Sequence, residues 1–421
     1  MRNLLTPELW TPTVPIADTV LRGPVSRTPK RGMDLVDLRA LGILPMQAGG
    51  APRKGTHVAA DVVTQTADGR DLNAIWTDFI ALLNAVNATR IPLINFLTFP
   101  VTLPVESVAQ PGDGVDFEES SEFGEPVGAR IVPTYFTLGY TFKWYDLAAR
   151  YTWQYLADAT AAMVDSVANA AVEAYYRLLL TQVLRTIFNP TNLTATINGN
   201  AYNVFKFYNN DGTIPPPYKQ NTFLGTHQHY KTTGAAALTA DDLDLLVIDD
   251  FKSHGYDQEL GYRMVAVVHS NQANVIRGFR SVANGGAGRY DFIPAQGQPG
   301  QIMDLTTQVV GQGQVPATLN GLKVIGNYGP LIIVEDDWMP STHVMTFATG
   351  GEANLNNPIG LREHANTGLR GLRLVKGRQP DYPLIDSFWA VGFGTGVRQR
   401  GGGIVLEVTA DATYDPPAIY A

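Results

Sequence analysis

From Tyr140 to Asn189 the chain runs without a glycine or a proline, although 41 glycines and 27 prolines are spread over its 421 residues. Without those two breakers the run favours helix. Alanines crowd its middle (Ala157, Ala159, Ala161, Ala162, Ala168, Ala170, Ala171, Ala174), and Asp146/Arg150 and Glu173/Arg177 have the acid-first i,i+4 spacing of helix-stabilising pairs. Asp146 is placed to cap the start, and Pro190 stops the run after Phe188. The apolar stripe Tyr151, Leu156, Ala159, Met163, Val167, Ala171, Ala174, Leu178 and Val183 predicts one buried face along the whole length. A helix from Asp146 to Phe188 would be roughly 60 Å long. No second segment of that length is present to pair with it, so the reading is a spine crossed by a sheet rather than a coiled coil.

The segment before it reads as a hairpin. Leu97, Phe99, Val101, Leu103 and Val105 alternate with Thr98, Pro100, Thr102, Pro104 and Glu106, and Val132, Thr134, Phe136, Leu138, Tyr140 and Phe142 alternate on the return. Pro100 and Pro104 require an edge strand. From Glu106 to Glu125 the acids Glu106, Asp113, Asp116, Glu118, Glu119, Glu122 and Glu125 occur without one Lys or Arg. A two-stranded ribbon of this length needs a surface to lie on, and its acidic tip favours a basic one.

Composition bounds the rest. With 45% hydrophobic residues the chain can bury one large or two moderate cores. It has no cysteine, which excludes a disulfide framework, thiol chemistry and cysteine-ligated metal. A net charge of −8 argues against wholesale binding of nucleic acid through the outer surface. The segment Met1–Leu21, broken by Pro7, Pro12 and Pro15, lacks the apolar core of a secretory signal, and no uncharged stretch is apolar enough to span a bilayer. The expectation is a cytoplasmic, soluble product, or one that ends in an extracellular particle without passing a secretion system, with no membrane partner.

The chain divides into an extended arm (1–70), a short helix and connection (71–95), the hairpin (96–142), the long helix (143–190), an inserted loop region (191–236), an α/β unit (237–342) and returning β segments (343–421). The arm is proline-rich and basic (Arg22, Arg27, Lys30, Arg31, Arg53, Lys54), and Val58–Thr66 is expected to add a strand. Asp71 starts the short amphipathic helix. In the α/β unit Thr239 and Asp242 have capping-box spacing before Leu243, Leu246, Val247 and Phe251. Met264–Val268 reads as a buried strand, Asn271–Phe279 as a helix, and 321–325 and 331–334 as further strands. The class is α+β.

The motifs of chemistry are thin. P-loop, HExxH and GxSxG patterns are absent. Gly392, Gly394 and Gly396 form GxGxG without a following helix, the wrong setting for a dinucleotide. His227 and His229 could share one strand face and hold a metal; lacking a cysteine or a sequence-adjacent carboxylate, they are read as a surface pair in a loop. Glu335-Asp336-Asp337 and Asp249-Asp250 are adjacent acids that a strand would turn to opposite faces. No catalytic, cofactor-binding or metal residue is therefore assigned. Arg362, Arg370, Arg373, Lys376 and Arg378 form the strongest basic cluster, suited to phosphate or to an acidic hairpin.

This order of parts resembles the tailed-phage major capsid proteins of the Hong Kong 97 type. Leu319-Asn320-Gly321-Leu322-Lys323-Val324-Ile325 followed by Val334-Glu335-Asp336-Asp337-Trp338-Met339-Pro340 is similar to a stretch of that family's A-domain. The resemblance implies that Phe96–Phe142 is the E-loop, Asp146–Phe188 the spine helix of the P-domain, and about 237–342 the main part of the A-domain. It also implies hexamers and pentamers that build an icosahedral shell around double-stranded DNA, in a virion assembled in the host cytoplasm. Possible further partners are a scaffolding protein, a portal and a decoration protein. Some members weld subunits through an E-loop lysine, but none lies between Leu93 and Phe142 here. Subunits are then expected to meet by charge, with Asp116, Glu118, Glu119, Glu122 and Glu125 against Arg370, Arg373 and Arg378 or the arm's Arg27, Lys30 and Arg31. The alternatives are an encapsulin-like compartment and, more distantly, an α+β hydrolytic enzyme.

Overall fold

The computed structural model describes residues 63–110, 134–197, 199–295, 315–319, 321–376 and 386–421. Residues 63–421 form one compact unit. Of the strand expected at Val58–Thr66, the first five residues lie outside the described set, and Gln65 makes an isolated bridge to Asp71. Asp71 caps the first helix, α1 (Leu72–Ala88), its carboxylate accepting from the Asn73 N–H at 2.6 Å. Pro92 then opens α2 (Pro92–Leu97). The 26 residues Leu72–Leu97 are together apolar enough to span a membrane by length and hydropathy. They are nevertheless two helices, and Leu72, Ile75, Phe79 and Leu83 lie buried in the protein core.

Next come β1 (Thr98–Val101), β2 (Val105–Gln110), β3 (Thr134–Gly139) and β4 (Lys143–Arg150). β2 and β3 pair antiparallel from Val105↔Gly139 to Gln110↔Thr134, so a hairpin forms, but its first arm begins only at Val105. Phe96 and Leu97 end α2, and Thr98–Val101 pairs parallel with Ile359–Arg362 instead, which places those residues on the body. The hairpin's acidic tip lies outside the described residues.

The long helix is shorter than the sequence suggests. Lys143–Arg150 is a strand, paired antiparallel along its whole length with Asp386–Val397, so Asp146 sits opposite Ala390 and caps nothing. Helix propensity is outvoted by a full edge of ladder bonds and by Tyr145 packing on Phe393, with ring centroids 5.3 Å apart. A six-residue helix, α3 (Trp153–Asp158), follows. Ala159 then turns extended before the true spine, α4 (Ala161–Phe188). With 28 residues α4 is about 42 Å long. Its first N–H groups need an acceptor from elsewhere, and Asp68 supplies it, both carboxylate oxygens lying 3.2 Å from the Ala161 nitrogen. A hydrogen bond from the Thr66 hydroxyl to that carboxylate holds its pKa below the usual range. Residues 63–70 thus belong to the body rather than to the arm.

The inserted region contributes a hairpin, β5 (Leu193–Ile197) and β6 (Asn200–Val204), and then β7 (Tyr230–Thr232). The Thr239–Asp242 capping box forms as expected. Asp242 accepts from the Thr239 N–H at 2.8 Å, and Thr239 Oγ1 accepts from the Asp242 N–H at 3.3 Å. It opens a π-helical segment (Asp242–Ile248) that continues as α5 (Asp249–Ser253). After β8 (Arg263–Val268) and α6 (Ser270–Arg277) come β9 (Phe292–Pro294), β10 (Thr318–Leu319), β11 (Leu322–Tyr328), β12 (Leu331–Glu335), β13 (His343–Thr349), β14 (Ile359–Glu363), β15 (Arg373–Val375), β16 (Asp386–Val397) and β17 (Gly403–Glu407). Two large sheets result. One runs β10-β11-β12-β8-β13-β17-β7 with β9 beside β11; the other runs β1-β14-β16-β15 with β4 also on β16.

The first sheet is buried on both faces, which explains the unbroken apolar run in β8. Met264, Ala266 and Val268 pack with Leu243, Val247, Phe251 and Ile276 on one side. Val265 and Val267 join the spine's Leu180, Val183, Leu184 and Ile187 on the other. Each such side chain contributes about 1.5–3 kcal/mol on burial.

The hairpin is rooted on the second sheet through the GxGxG run. A Cβ on Gly394 would fall 1.6 Å from the Thr141 carbonyl oxygen, and one on Gly396 2.6 Å from the Tyr140 ring. These glycines let the backbone after β3 press onto β16, where Thr141 N–H donates to Thr395 O at 3.1 Å and Thr395 N–H to Thr141 Oγ1 at 3.0 Å. Glu106 closes the root from the other arm, accepting from Tyr140 Oη at 2.8 Å and from Arg398 Nε at 3.0 Å. That acid is therefore spent within the chain.

Arg400, on the turn between β16 and β17, fixes what lies beside the root. It is 4% exposed, donates to Lys206 O at 2.8 Å and pairs with Asp211 at 2.7 Å. Its guanidinium also lies over the rings of Phe136, Phe205 and Tyr208 at 5.9, 4.8 and 4.7 Å. Desolvation, the largest influence on Asp211, raises its pKa, but Arg400 and hydrogen bonds from Thr213 and Arg400 bring it below the usual carboxylate value. The pair's contribution is accordingly present above about pH 4 and lost as pH falls below it. Gly394→Ala should lower unfolding stability by at least about 2 kcal/mol, because a backbone oxygen cannot move aside cheaply. Arg400→Met should cost about 3 kcal/mol in denaturant titrations at pH 7 and flatten the acid limb of the stability profile.

Candidate functional site

Two places on the body bring polar chemistry together. The first is a groove of about 830 Å³ walled by α1, α4 and β15, with Ile80, Leu83, Tyr175 and Leu372 on its apolar side. Arg370, Arg373 and Lys376 of the basic cluster line it, and Arg90 is held there by Glu363 at 2.7 Å. Arg370 donates from Nε to His364 O at 2.7 Å and from Nη2 to Ala365 O at 3.0 Å, which fixes its loop. Arg373 lies over the Trp144 ring at 5.6 Å. Arg362 stands apart at the hairpin root, donating to Tyr140 O at 3.1 Å and lying over Phe142 at 5.1 Å. Asp116, Glu118, Glu119, Glu122, Glu125, Arg27, Lys30, Arg31 and Arg378 are outside the described residues. Among the sequence-adjacent acids, Glu335 is engaged by Lys323 at 2.9 Å and Arg277 at 3.2 Å, and Asp249 by Arg289.

The second place differs from the expectation drawn from sequence. His227 and His229 are not a surface pair: the His229 side chain is fully buried, and the structure adds His254 and Asp250 to them. The three Nε2 atoms form a triangle with sides of 3.0 Å (His227–His229), 2.9 Å (His227–His254) and 3.1 Å (His229–His254). Asp250 carboxylate oxygens stand 3.7 Å from His227 and His229 and 3.8 Å from His254. The missed signal is a second spacing: Asp250 and His254, four apart at the end of a helix, share one face, as His227 and His229 do in an extended segment.

The surroundings hold this group in one geometry. His229 Nδ1 donates to Gly403 O at 2.7 Å, which leaves its Nε2 as a bare lone pair. His254 stacks between Phe223 (4.2 Å, 1°) and Tyr208 (5.9 Å, 10°). Burial lowers the pKa of His227 and His229 and brings His254 down to about 4, outweighing the attraction of Asp250, so all three rings are neutral at pH 7. Burial raises the Asp250 pKa, but the cations and rings around it, His229 and Lys231 first, bring it net below the usual value. Lys231 Nζ donates to it at 2.7 Å.

Protein-family models yield no match, and neither do curated proteins by sequence. Solved structures do. A chain from Mycobacterium phage Patience is 39% identical, with a TM-score of 0.68, and the match covers 89% of this chain and 98% of that one. The capsid of Ralstonia phage GP4 (12% identity, TM-score 0.42, 89% and 99% covered) is a more distant likeness. So is an encapsulin complex from Synechococcus elongatus (14% identity, TM-score 0.36, 80% and 97% covered). Neither of these two bears any inference. The first match does: at 39% identity over almost all of the solved chain, this protein belongs to the same family as the Mycobacterium phage Patience protein.

Proposed function

We propose that the chain is a phage major capsid protein of the Hong Kong 97 type, a non-enzymatic subunit that assembles through hexamers and pentamers into an icosahedral shell around double-stranded DNA. The observation that carries the reading is the likeness to the Mycobacterium phage chain along nearly its full length. The architecture agrees with it: a hairpin rooted on one sheet, a 28-residue spine helix and a second sheet packed on that spine. In this reading the P-domain is the β1-β14-β16-β15 sheet with the spine, and the A-domain is the sheet centred on β8. The hairpin is the E-loop, reaching across a neighbour with its acids toward the groove that carries Arg370, Arg373 and Lys376. The other partners are packaged DNA on the inner face and possible scaffolding, portal and decoration proteins; no membrane is involved. The virion is its place, and host cytoplasm the site of assembly.

Negative-stain imaging and sizing of the expressed protein test this directly. Shells are expected, and a persistent monomer would refute the reading. Double-stranded DNA inside particles purified from infected cells distinguishes a capsid from an enzyme-filled compartment. Charge reversal of Glu118, Glu119 and Glu122 to lysine should abolish shells while leaving a soluble subunit, and normal particles from that variant would remove the charge contact from the proposal. Because the hairpin carries no lysine, mature particles boiled in detergent should release monomers and no ladder of linked subunits.

A further inference from the structure

We infer that His227, His229, His254 and Asp250 form a structural site for a divalent transition cation of the zinc class. The argument starts from the nitrogen triangle. Each sp² Nε2 has one in-plane position, filled either by a hydrogen or by a lone pair. A hydrogen bond uses the positions of both partners, so three nitrogens that approach one another at 2.9, 3.0 and 3.1 Å cannot all be hydrogen-bonded in pairs. His229 is committed to a lone pair by its Nδ1–H bond to Gly403. A cation among the three accepts every lone pair at once.

The size fits. Zinc–nitrogen bonds of 2.0–2.1 Å in a tetrahedron place ligand atoms about 3.4 Å apart. The nitrogen edges of 2.9–3.1 Å and the carboxylate edges of 3.7–3.8 Å straddle that value. Three imidazoles and one carboxylate are a donor set suited to zinc and without the thiolates this chain lacks. The outer shell has the expected form as well. A carbonyl orients His229, Lys231 orients Asp250, and stacked rings clamp His254.

The cation would join two parts of the chain, whose outer ligands are 27 residues apart. His227 and His229 lie in the inserted region just before β7, Asp250 is in the first turn of α5 and His254 caps its end, and Gly403 begins β17. A metal here would staple the insertion onto the sheet that carries β8. Filling all four sites with protein ligands leaves no open position for a substrate, so the role is structural rather than catalytic.

The experiment uses the full chain, without a histidine tag, dialysed against zinc chloride and then against metal-free buffer. Elemental analysis should find about one zinc per chain. Cobalt chloride should give the intense visible bands of a tetrahedral ion, and chelation should lower the unfolding midpoint by about 5 °C or more. His227→Asn, at the most exposed ligand, should weaken zinc binding by at least about 100-fold while the apo variant keeps the far-ultraviolet signature of the parent. Less than a tenth of an equivalent of zinc in the parent protein would overturn the proposal, as would an octahedral cobalt spectrum, an unmoved midpoint, or unchanged affinity in His227→Asn.

Discussion

The buried guanidinium of Arg400 is the contact on which the arrangement of the outer parts depends. A charge with 4% exposure is tolerated only if it is paired and most of its donors are used. Of the guanidinium nitrogens Nη1 has no hydrogen-bond partner among the described residues, while Nε and Nη2 are engaged. Here Asp211 supplies the counter-charge, Lys206 a carbonyl, and three aromatic rings the walls. Those partners come from β3 and from the segment just after β6. One side chain on the β16–β17 turn thus sets where the hairpin base and the insertion sit on the body. Arg398, two residues earlier, performs the matching task for β2 through Glu106.

Rooting of this kind has a mechanical consequence. The base of the hairpin is locked by ladder bonds, by the glycines of β16 and by Arg362, Arg398 and Arg400, so its direction relative to the sheet is fixed before any neighbour is met. A tip carried on a rigid base loses less conformational freedom on docking than one carried on a floppy base would. For a shell subunit that fixes the angle at which a strap leaves its own tile. The histidine site, if metallated, would stiffen the same side of the molecule, since His254 and Arg400 share the ring of Tyr208.

Much of this was legible in the sequence where the local signal and the tertiary outcome agree. The hairpin alternation, the Thr239–Asp242 box, the Asp71 cap and the doubly buried Met264–Val268 strand all follow from period and capping chemistry. The spine reads too long in sequence because Lys143–Arg150 carries no breaker, and nothing local reveals that β16 offers it an open edge. The reason for the GxGxG run, the approach of Thr141 to Gly394, exists only in three dimensions. His227 and His229 do not by themselves point to Asp250 and His254, because ligands brought together by folding leave no single spacing. Arg400 has no sequence signature at all.

The central claim is that the hairpin, fixed at its root to its own subunit, fastens a neighbouring subunit through its acidic tip. A density map of the assembled particle at side-chain resolution tests it most directly. The account predicts the β2–β3 hairpin lying across an adjacent subunit, with carboxylates of residues 113–125 within about 4 Å of that subunit's basic side chains. A hairpin folded back on its own subunit, or a tip facing solvent or other acids, would contradict it.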